Sequence, residues 1–405
     1  MHVLYIHQHF STPSGAAGTR SYEMARRLIA QGHCVTMVCG SYKAGKTGLQ
    51  QRFRHSRREG EVDGIQVIEF DLAYSNHDGL ARRTAVFLRY ALGAMGLALT
   101  RRYDLLLATS TPLTASLPGL VARWLRGKPF VFEVRDLWPE LPRAMGVIRN
   151  RALLAVLGAL EWVACRSATR CIALAPGIAQ GIAKTGVDPR RIEVVANGCD
   201  ISLFQSPGVP WRPPGIPPEN LLAVFTGTHG PANGLNAVLD AAAILLARGR
   251  YDISLVLAGD GKCKPALVQR ARDQGLSNVM FVEPMPKAEL AGLLAGADLG
   301  IQCLADIPAF YFGTSPNKFF DYIAAGLPVL NNYPGWRAQL IESEGLGFAV
   351  PPRDSAAFAD ALERAAGNRG ETRRMGARAV DFARHNFARD ILAERWIGWV
   401  TGAAR

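Results

Sequence analysis

Two regimes of apolar spacing alternate along this chain. Short continuous apolar runs suit strands buried on both faces. Between them lie longer stretches with apolar residues every three or four positions, which suit helices with one buried face. Residues 2–10 form the first run. A glycine-bearing loop follows at 11–18, then a helix over 19–31 with Tyr22, Ala25, Leu28 and Ile29 on one side and Gly32 as its stop. Strand-like runs recur at 33–39, 65–70, 105–108, 129–134, 171–174 and 192–195. Strand, glycine loop, helix and strand, in that order, open a doubly wound α/β fold.

The pattern breaks at 205–220, where six prolines fall in sixteen residues. No helix or central strand survives that density, and the segment reads as an extended interdomain linker. Then the pattern restarts. A strand at 221–226 leads into a glycine-rich loop at 227–234 and a helix ending near 248. A strand at 253–258 ends in Gly259-Asp260-Gly261-Lys262. Shorter strands are expected at 279–282, 299–302, 329–330 and 348–350, and helices at 287–296, 355–366, 371–385 and 389–400. The expected organisation is therefore a first domain over 1–204, a linker over 205–220, a second domain over 221–385, and a final helix within 386–405.

The segment Ser315-Pro-Asn-Lys318-Phe-Phe-Asp321 carries the most specific chemistry. A helix starting here offers free N–H groups and a positive dipole end, which suit a diphosphate. Lys318 adds a charge in the first turn. Asp321, three residues on, shares its face and can accept hydrogen bonds from two ribose hydroxyls. The alternative for this segment is a capped amphipathic helix without a ligand. Loops 227–234, 259–262 and 313–318 fall in one expected domain and are placed to face one ligand. Gly15 and Gly18 let backbone approach a ligand at the first strand's end, but their spacing fits neither a dinucleotide fingerprint nor a P-loop.

Charge narrows the partners. Residues 1–200 hold 26 lysines and arginines against 15 acidic residues, while 201–405 hold 20 against 19. Nearly all of the net charge of +12 thus sits in the first half, as an anionic partner would require. The segment 82–102 runs from Arg82-Arg83 to Arg101-Arg102; Arg89 interrupts it, and only about eleven apolar-to-neutral residues follow. It is too short for the ~20 residues of a membrane span; it suits a helix lying in a membrane interface, or a core helix with basic ends. Aromatic-basic stacking patches for nucleic acid are absent. Seven cysteines without a Cys-x-x-Cys pair read as buried thiols of a reducing compartment, and the N-terminus reads as a strand rather than a secretory leader.

Several motifs occur together and in order: Ile6-His-Gln-His-Phe with Gly18-Thr-Arg-Ser-Tyr-Glu, Glu133-Val-Arg-Asp-Leu-Trp-Pro-Glu140, Asn197-Gly-Cys-Asp200, Thr226-Gly-Thr-His-Gly-Pro-Ala-Asn-Gly-Leu235, Ala258-Gly-Asp-Gly261, and Ser315-Pro-Asn-Lys-Phe-Phe-Asp-Tyr-Ile-Ala-Ala-Gly-Leu-Pro-Val. Through them, from residue 1 to about 400, the chain resembles family 4 glycosyltransferases of the GT-B fold. Within that family it resembles bacterial enzymes such as O-antigen and capsule L-fucosamine transferases. The resemblance implies two Rossmann-like domains facing a cleft, a final helix returning to the first domain, and retaining transfer without a metal or other cofactor. The donor is a nucleotide diphosphate sugar, expected to be UDP-linked, held by the second domain. The acceptor, lipid-linked or saccharide, is held mainly by the first.

The expected nucleotide-sugar set is Gly15, Gly18, Gly227, His229, Asn233, Gly261, Lys262, Met285, Thr314, Ser315, Asn317, Lys318 and Asp321. Asp136, Lys318 and Glu133 are the catalytic candidates. Arg82, Arg83, Arg101 and Arg102 are the candidates for an anionic membrane, with the protein peripheral on its cytoplasmic face and engaged in surface polysaccharide synthesis.

The sequence departs from the family pattern at three places. Gly313 stands where the family carries the first acidic residue of Glu-x7-Glu, with Asp321 at the second. Arg135 replaces a histidine. His229-Gly-Pro-Ala-Asn233 replaces a loop with an Arg/Lys pair, so Lys318 is expected to supply the missing charge. A catalytically silent membrane-associated GT-B protein and a GT-B epimerase are the competing expectations; a phosphorylase lacks an assignable pyridoxal lysine.

Overall fold

The computed structural model describes the 405 residues apart from 16, 17, 43, 44, 74–77 and 405, and for 80 and 312 the backbone alone. The chain divides into two compact units. One comprises Met1–Ala196, Phe312–Ser315 and Asp390–Arg405; the other comprises Asn197–Tyr311 and Pro316–Arg389. Each is built on its own sheet, wholly parallel in the second unit and parallel but for one edge pair in the first.

In the first unit the strands are β1 (His2–Ile6), β2 (Cys34–Gly40), β3 (Arg57–Val62), β4 (Ile65–Phe70), β5 (Leu105–Thr109), β6 (Phe130–Val134), β7 (Arg170–Ala173) and β8 (Ile192–Val194). Their order is β3-β4-β2-β1-β5-β6-β7-β8. All pairs are parallel except β3–β4. The second unit carries β9 (Leu221–Thr226), β10 (Ile253–Ala258), β11 (Val279–Val282), β12 (Leu299–Gln302), β13 (Val329–Asn331) and β14 (Gly347–Ala349), ordered β11-β10-β9-β12-β13-β14 and wholly parallel. The strand order reverses at β1 in one unit and at β9 in the other. Open α/β sheets bind ligands at such points, outside the carboxyl ends of the strands.

The expected strands are present with three corrections. The first ends at Ile6, so the 7–10 stretch is loop. β3, Arg-Arg-Glu-Gly-Glu-Val, was not expected: it is an exposed edge strand whose charges hide the strand signal. Residues 197–220 are not a free linker. Trp211 donates its backbone N–H to Gly292 O and its indole N–H to Glu289 O, and Arg212 reaches Asp298 at 2.8 Å. The strap therefore belongs to the second unit, and the first domain ends at Ala196 rather than 204.

The helices that matter for function are α1 (Arg20–Ala30), α2 (Leu80–Thr100), α3 (Leu117–Leu125), α4 (Arg151–Ser167), α5 (Lys287–Gly296) and α6 (Asn317–Ala324). Two glycines of α5 make room for the strap. A Cβ at Gly296 would lie 2.2 Å from Trp211 O, and one at Gly292 would lie 2.8 Å from the indole.

The C-terminal helix Arg389–Thr401 groups with the first unit from Asp390 onward, as the resemblance implies. Buried Trp396 donates its indole N–H to Glu133 Oε2 at 2.9 Å, and Trp399 donates to Cys171 O at 3.0 Å. Glu133, on β6, is 1% exposed; it also binds the Arg20 guanidinium at 3.0 Å and accepts from Thr109 Oγ1 at 2.9 Å. Arg20 in turn donates to the carbonyls of Val195 and Ala196. Burial alone would raise the Glu133 carboxyl. The charges of Arg20 and Arg135, with the hydrogen bonds from Arg20 and Trp396, outweigh it and hold the group below the usual range.

Two expectations follow. Gly296→Ala should force the strap off α5 and cost about 1–3 kcal/mol, the usual cost of an overpacked site; an unchanged melting temperature would contradict the tight approach. Glu133→Ala should cost about 3–5 kcal/mol by leaving Arg20 buried without its counter-charge. Because the folded carboxyl titrates below its unfolded value, the pair's contribution is whole above the ordinary glutamate range and is lost as pH falls through the folded value. Denaturant titrations from pH 6 down to pH 3 should thus show a shallower acid loss in the variant than in the wild type.

Candidate functional site

In the second unit the carboxyl ends of β9, β10 and β12 are closed by backbone packed on backbone. His229 N–H donates to Asp260 O and Cys263 N–H donates to His229 O, both at 2.8 Å. Gly259 holds φ +146°, and a Cβ there would fall 1.9 Å from Gly227 O. A Cβ at Gly261 would fall 2.7 Å from the His229 backbone. Loops 227–234 and 259–262 are thus one interlocked surface.

Lys318, in the first turn of α6, comes down on that surface. Its Nζ donates to Asn233 Oδ1 at 2.8 Å and sits 4.1 Å from the centroid of the Phe225 ring. Asn233 is held in turn by donating to Thr228 O. A Cβ on Gly227 would be 3.4 Å from the lysine Cε. Burial pushes the amine down to about 7, opposed by Cys303. Among the described residues no carboxylate pairs with it.

His229 lies buried between Phe225 and Phe281, with centroids 6.0 and 6.1 Å away and neither ring nitrogen hydrogen-bonded among the described residues. Burial, then the charge of Lys264, pushes it down to about 4. It is therefore neutral near pH 7, and the basic groups of this region are Lys264, Lys318 and the exposed Lys262.

Asp321 lies one turn on from Lys318 but reaches another partner: its Oδ1 is 3.3 Å from Lys287 Nζ of α5. The two side chains that the sequence assigned to one face thus have separate contacts. Tyr322 fixes the helix between them, its hydroxyl accepting from Thr226 N–H and donating to Ile301 O. Lys287 was not singled out in the sequence; its signal is a basic residue opening the helix after Pro284-Met285-Pro286. Met285 is half-buried in that loop, and Asn317 opens α6 exposed.

Thr314 and Ser315 do not group with these residues. The segment Phe312–Ser315 belongs to the first unit, where a Cβ at Gly313 would have Ile178 as its nearest neighbour at 4.0 Å. The expectation that 313–318 forms a third loop of the second domain is corrected to residues from Pro316 onward.

The first unit has its own cluster at the β1–β5 switch point. Arg135 donates to His7 Nε2 at 3.2 Å, and His7 Nδ1 lies 2.6 Å from Ser21 Oγ. Arginine only donates, so Nε2 accepts and the ring proton is on Nδ1, directed to Ser21. Burial, then the charge of Arg135, keeps His7 neutral. Beside it Asp136 accepts from Thr111 Oγ1 at 3.1 Å. Burial raises the Asp136 carboxyl, against the pull of Arg135 and Thr111. Such a carboxylate is primed to take a proton.

Glu133 is placed differently: both oxygens are committed to Arg20, Thr109 and Trp396, so its geometry is that of an anchor rather than a group facing substrate. Gly15 donates to Thr12 O and Gly18 is exposed; residues 16 and 17 of that loop lie outside the described residues. Of the basic candidates, Arg82 pairs with Asp78 at 3.6 Å and Arg101 with Glu59 at 2.9 Å, Arg83 is half-buried, and Arg102 is exposed. Among the described residues no helix is long and apolar enough to cross a membrane.

Residues 15–198 match the model of a glycosyl transferase 4-like domain, and residues 220–368 match that of glycosyl transferases group 1. The chain is 31% identical to a D-inositol 3-phosphate glycosyltransferase of Nocardia farcinica over 210 residues, 49% of this chain and 45% of that protein. A protein of the same name from a Nocardioides species is 25% identical over 95% of this chain and 84% of its own length. The chain thus spans about half the length of the first of these relatives and most of the second. Among solved structures, sucrose-phosphate synthase from Thermosynechococcus elongatus superposes with TM-score 0.74 at 16% identity, covering 98% of this chain and 97% of that one. Anabaena HepE in complex with UDP and glucose gives 0.71 at 19%, covering 99% and 100%. The fold is GT-B, and the chain belongs to the family 4 glycosyltransferases.

Proposed function

We propose that the protein moves a sugar from a UDP-linked donor, bound at the β9 end of the second unit, to a lipid-linked or saccharide acceptor. The transfer retains anomeric configuration and serves bacterial surface polysaccharide synthesis at the cytoplasmic face of a membrane. One observation carries this reading: a half-buried lysine amine held at a strand switch point and given no carboxylate partner among the described residues. Such a group favours an incoming diphosphate. The UDP complex of the similarly folded HepE supports the choice of nucleotide.

In this reading the bond between the sugar C1 and the β-phosphate oxygen breaks, and its electron pair leaves with the diphosphate. Lys318 and the N–H groups opening α6 meet that charge without a metal. The acceptor oxygen bonds C1 on the same face. Its proton passes to the departing phosphate or to Asp136, whose raised carboxyl suits either a base or a positioning role. Asp321 gives up part of its contact with Lys287 to take the ribose hydroxyls.

Asp321→Ala should weaken UDP binding by about 1–3 kcal/mol, the range for losing a charged acceptor. Unchanged affinity by calorimetry in a folded variant would remove the ribose role.

Lys318→Ala should lower turnover on the order of 100-fold with little change in melting temperature, since the charge acts on the leaving group. Its amine is mostly uncharged at pH 8 and recovers its proton when the diphosphate arrives. UDP binding at pH 8 should then take up about one proton, and much less at pH 6. Calorimetry in buffers of different ionisation enthalpy measures this. Equal uptake by wild type and Lys318→Ala at pH 8 would detach the lysine from the phosphate. UDP binding without donor hydrolysis or transfer would favour the catalytically silent reading.

A further inference from the structure

We propose that the outward face of α2, α3 and α4 is a docking surface for an anionic bilayer, and that the cleft between Trp124 and Trp162 seats the phosphate of an anionic glycerophospholipid. The inference rests on the membrane reading above but moves its centre away from the ends of α2. The three helices form one layer, with α2 packed on α3 and α3 on α4.

Their outward side is unusually apolar. Leu92 is 66% exposed, Trp124 61%, Leu125 70% and Val156 64%, with Leu88, Leu99, Leu153 and Trp162 also exposed. Scattered exposed leucines are ordinary, but a run of large apolar side chains across three adjacent helices marks an interaction face. Tryptophan in particular suits the boundary between headgroups and acyl chains.

Charge identifies the partner. The three helices carry Arg82, Arg83, Arg89, Arg123, Arg151 and Arg166 against a single acidic residue, Glu161. Glu161 is turned to the backbone, accepting from Trp138 N–H at 2.7 Å. Among the described residues no carboxylate pairs with Arg89, Arg123, Arg151 or Arg166, whereas Arg82 and Arg101 are already paired. A second copy of this face would meet it with like charge, which disfavours self-association. An anionic lipid surface supplies both the opposite charge and the apolar phase.

The cleft has the parts of a headgroup site. It is an open cleft of about 700 Å³ beside α3 and α4. Arg123 and Arg166 stand at its rim with Trp124 and Trp162, and the Arg166 guanidinium lies 4.8 Å from the Trp162 ring centroid. Arg191 lines the cleft with its Nε donating to Thr169 O and its Nη2 to the carbonyls of Arg166 and Ala168, so it braces the end of α4. Ser167 and Thr169 add hydroxyls for phosphate or glycerol oxygens.

The test uses the full chain and binding, so it is independent of transferase activity. Sedimentation is measured with vesicles of phosphatidylcholine alone and of equimolar phosphatidylcholine and phosphatidylglycerol. Tryptophan emission is read in parallel. The wild type should bind the anionic vesicles with a blue shift and ignore the neutral ones. Trp124→Ser/Trp162→Ser and Arg123→Gln/Arg166→Gln should each lower anionic-vesicle binding about tenfold, and the first should lose the blue shift. Both pairs are exposed and should leave melting temperature and donor hydrolysis unchanged. Neutralising Arg82, Arg83, Arg101 and Arg102 should reduce binding less and keep the shift. If the cleft variants bind as the wild type does while the α2 variant does not, the cleft is overturned and the membrane reading stands on α2. A wild type that ignores both vesicles overturns both. Soluble glycerol 3-phosphate that shifts the emission and competes fully with vesicles makes the cleft a site for a free phosphate instead, overturning the lipid assignment.

Discussion

A buried carboxylate at the end of β6 holds the first unit together because it cannot be left alone. Desolvating Glu133 is costly, and the cost is met only by drawing Arg20, Thr109 and Trp396 around it. Those partners come from α1, β5 and the C-terminal helix. Arg20 then spends its remaining donors on the carbonyls that follow β8. One charge pair therefore fixes the start of α1, and with it Ser21, the partner of His7. The cluster around Asp136 inherits its geometry from this anchor.

The two units repeat one construction with different polar groups. Each places them where the strand order reverses. In the first, Arg135 donates to His7, whose other nitrogen meets Ser21, and Asp136 accepts from Thr111. In the second, Lys318 has an amide oxygen and an aromatic face but no anion.

The strand–loop–helix rhythm was legible because parallel strands such as β1 and β10 are apolar at all but one position. β3 was not, since an exposed edge strand of arginine and glutamate carries no such run. The prolines of 205–220 correctly excluded regular structure at their own positions but could not reveal that Trp211 is received by Gly292 and Gly296, some eighty residues away. Lys318 and Asp321 stood out by type and spacing, while their partners Asn233 and Lys287 depend on tertiary packing. Glu133 looked catalytic because a carboxylate in a motif is ambiguous until its burial is known.

The tryptophan that completes the Glu133 anchor lies at position 396, while the rest of the anchor is finished by Ala196. During synthesis the first unit must wait for the whole second unit before its last element emerges. Until then Glu133 and Tyr5 lack the indole that covers them. The second unit, by contrast, can close as soon as Arg389 is made. On the ribosome the chain therefore matures in the reverse of its written order, with the segment begun first completed last.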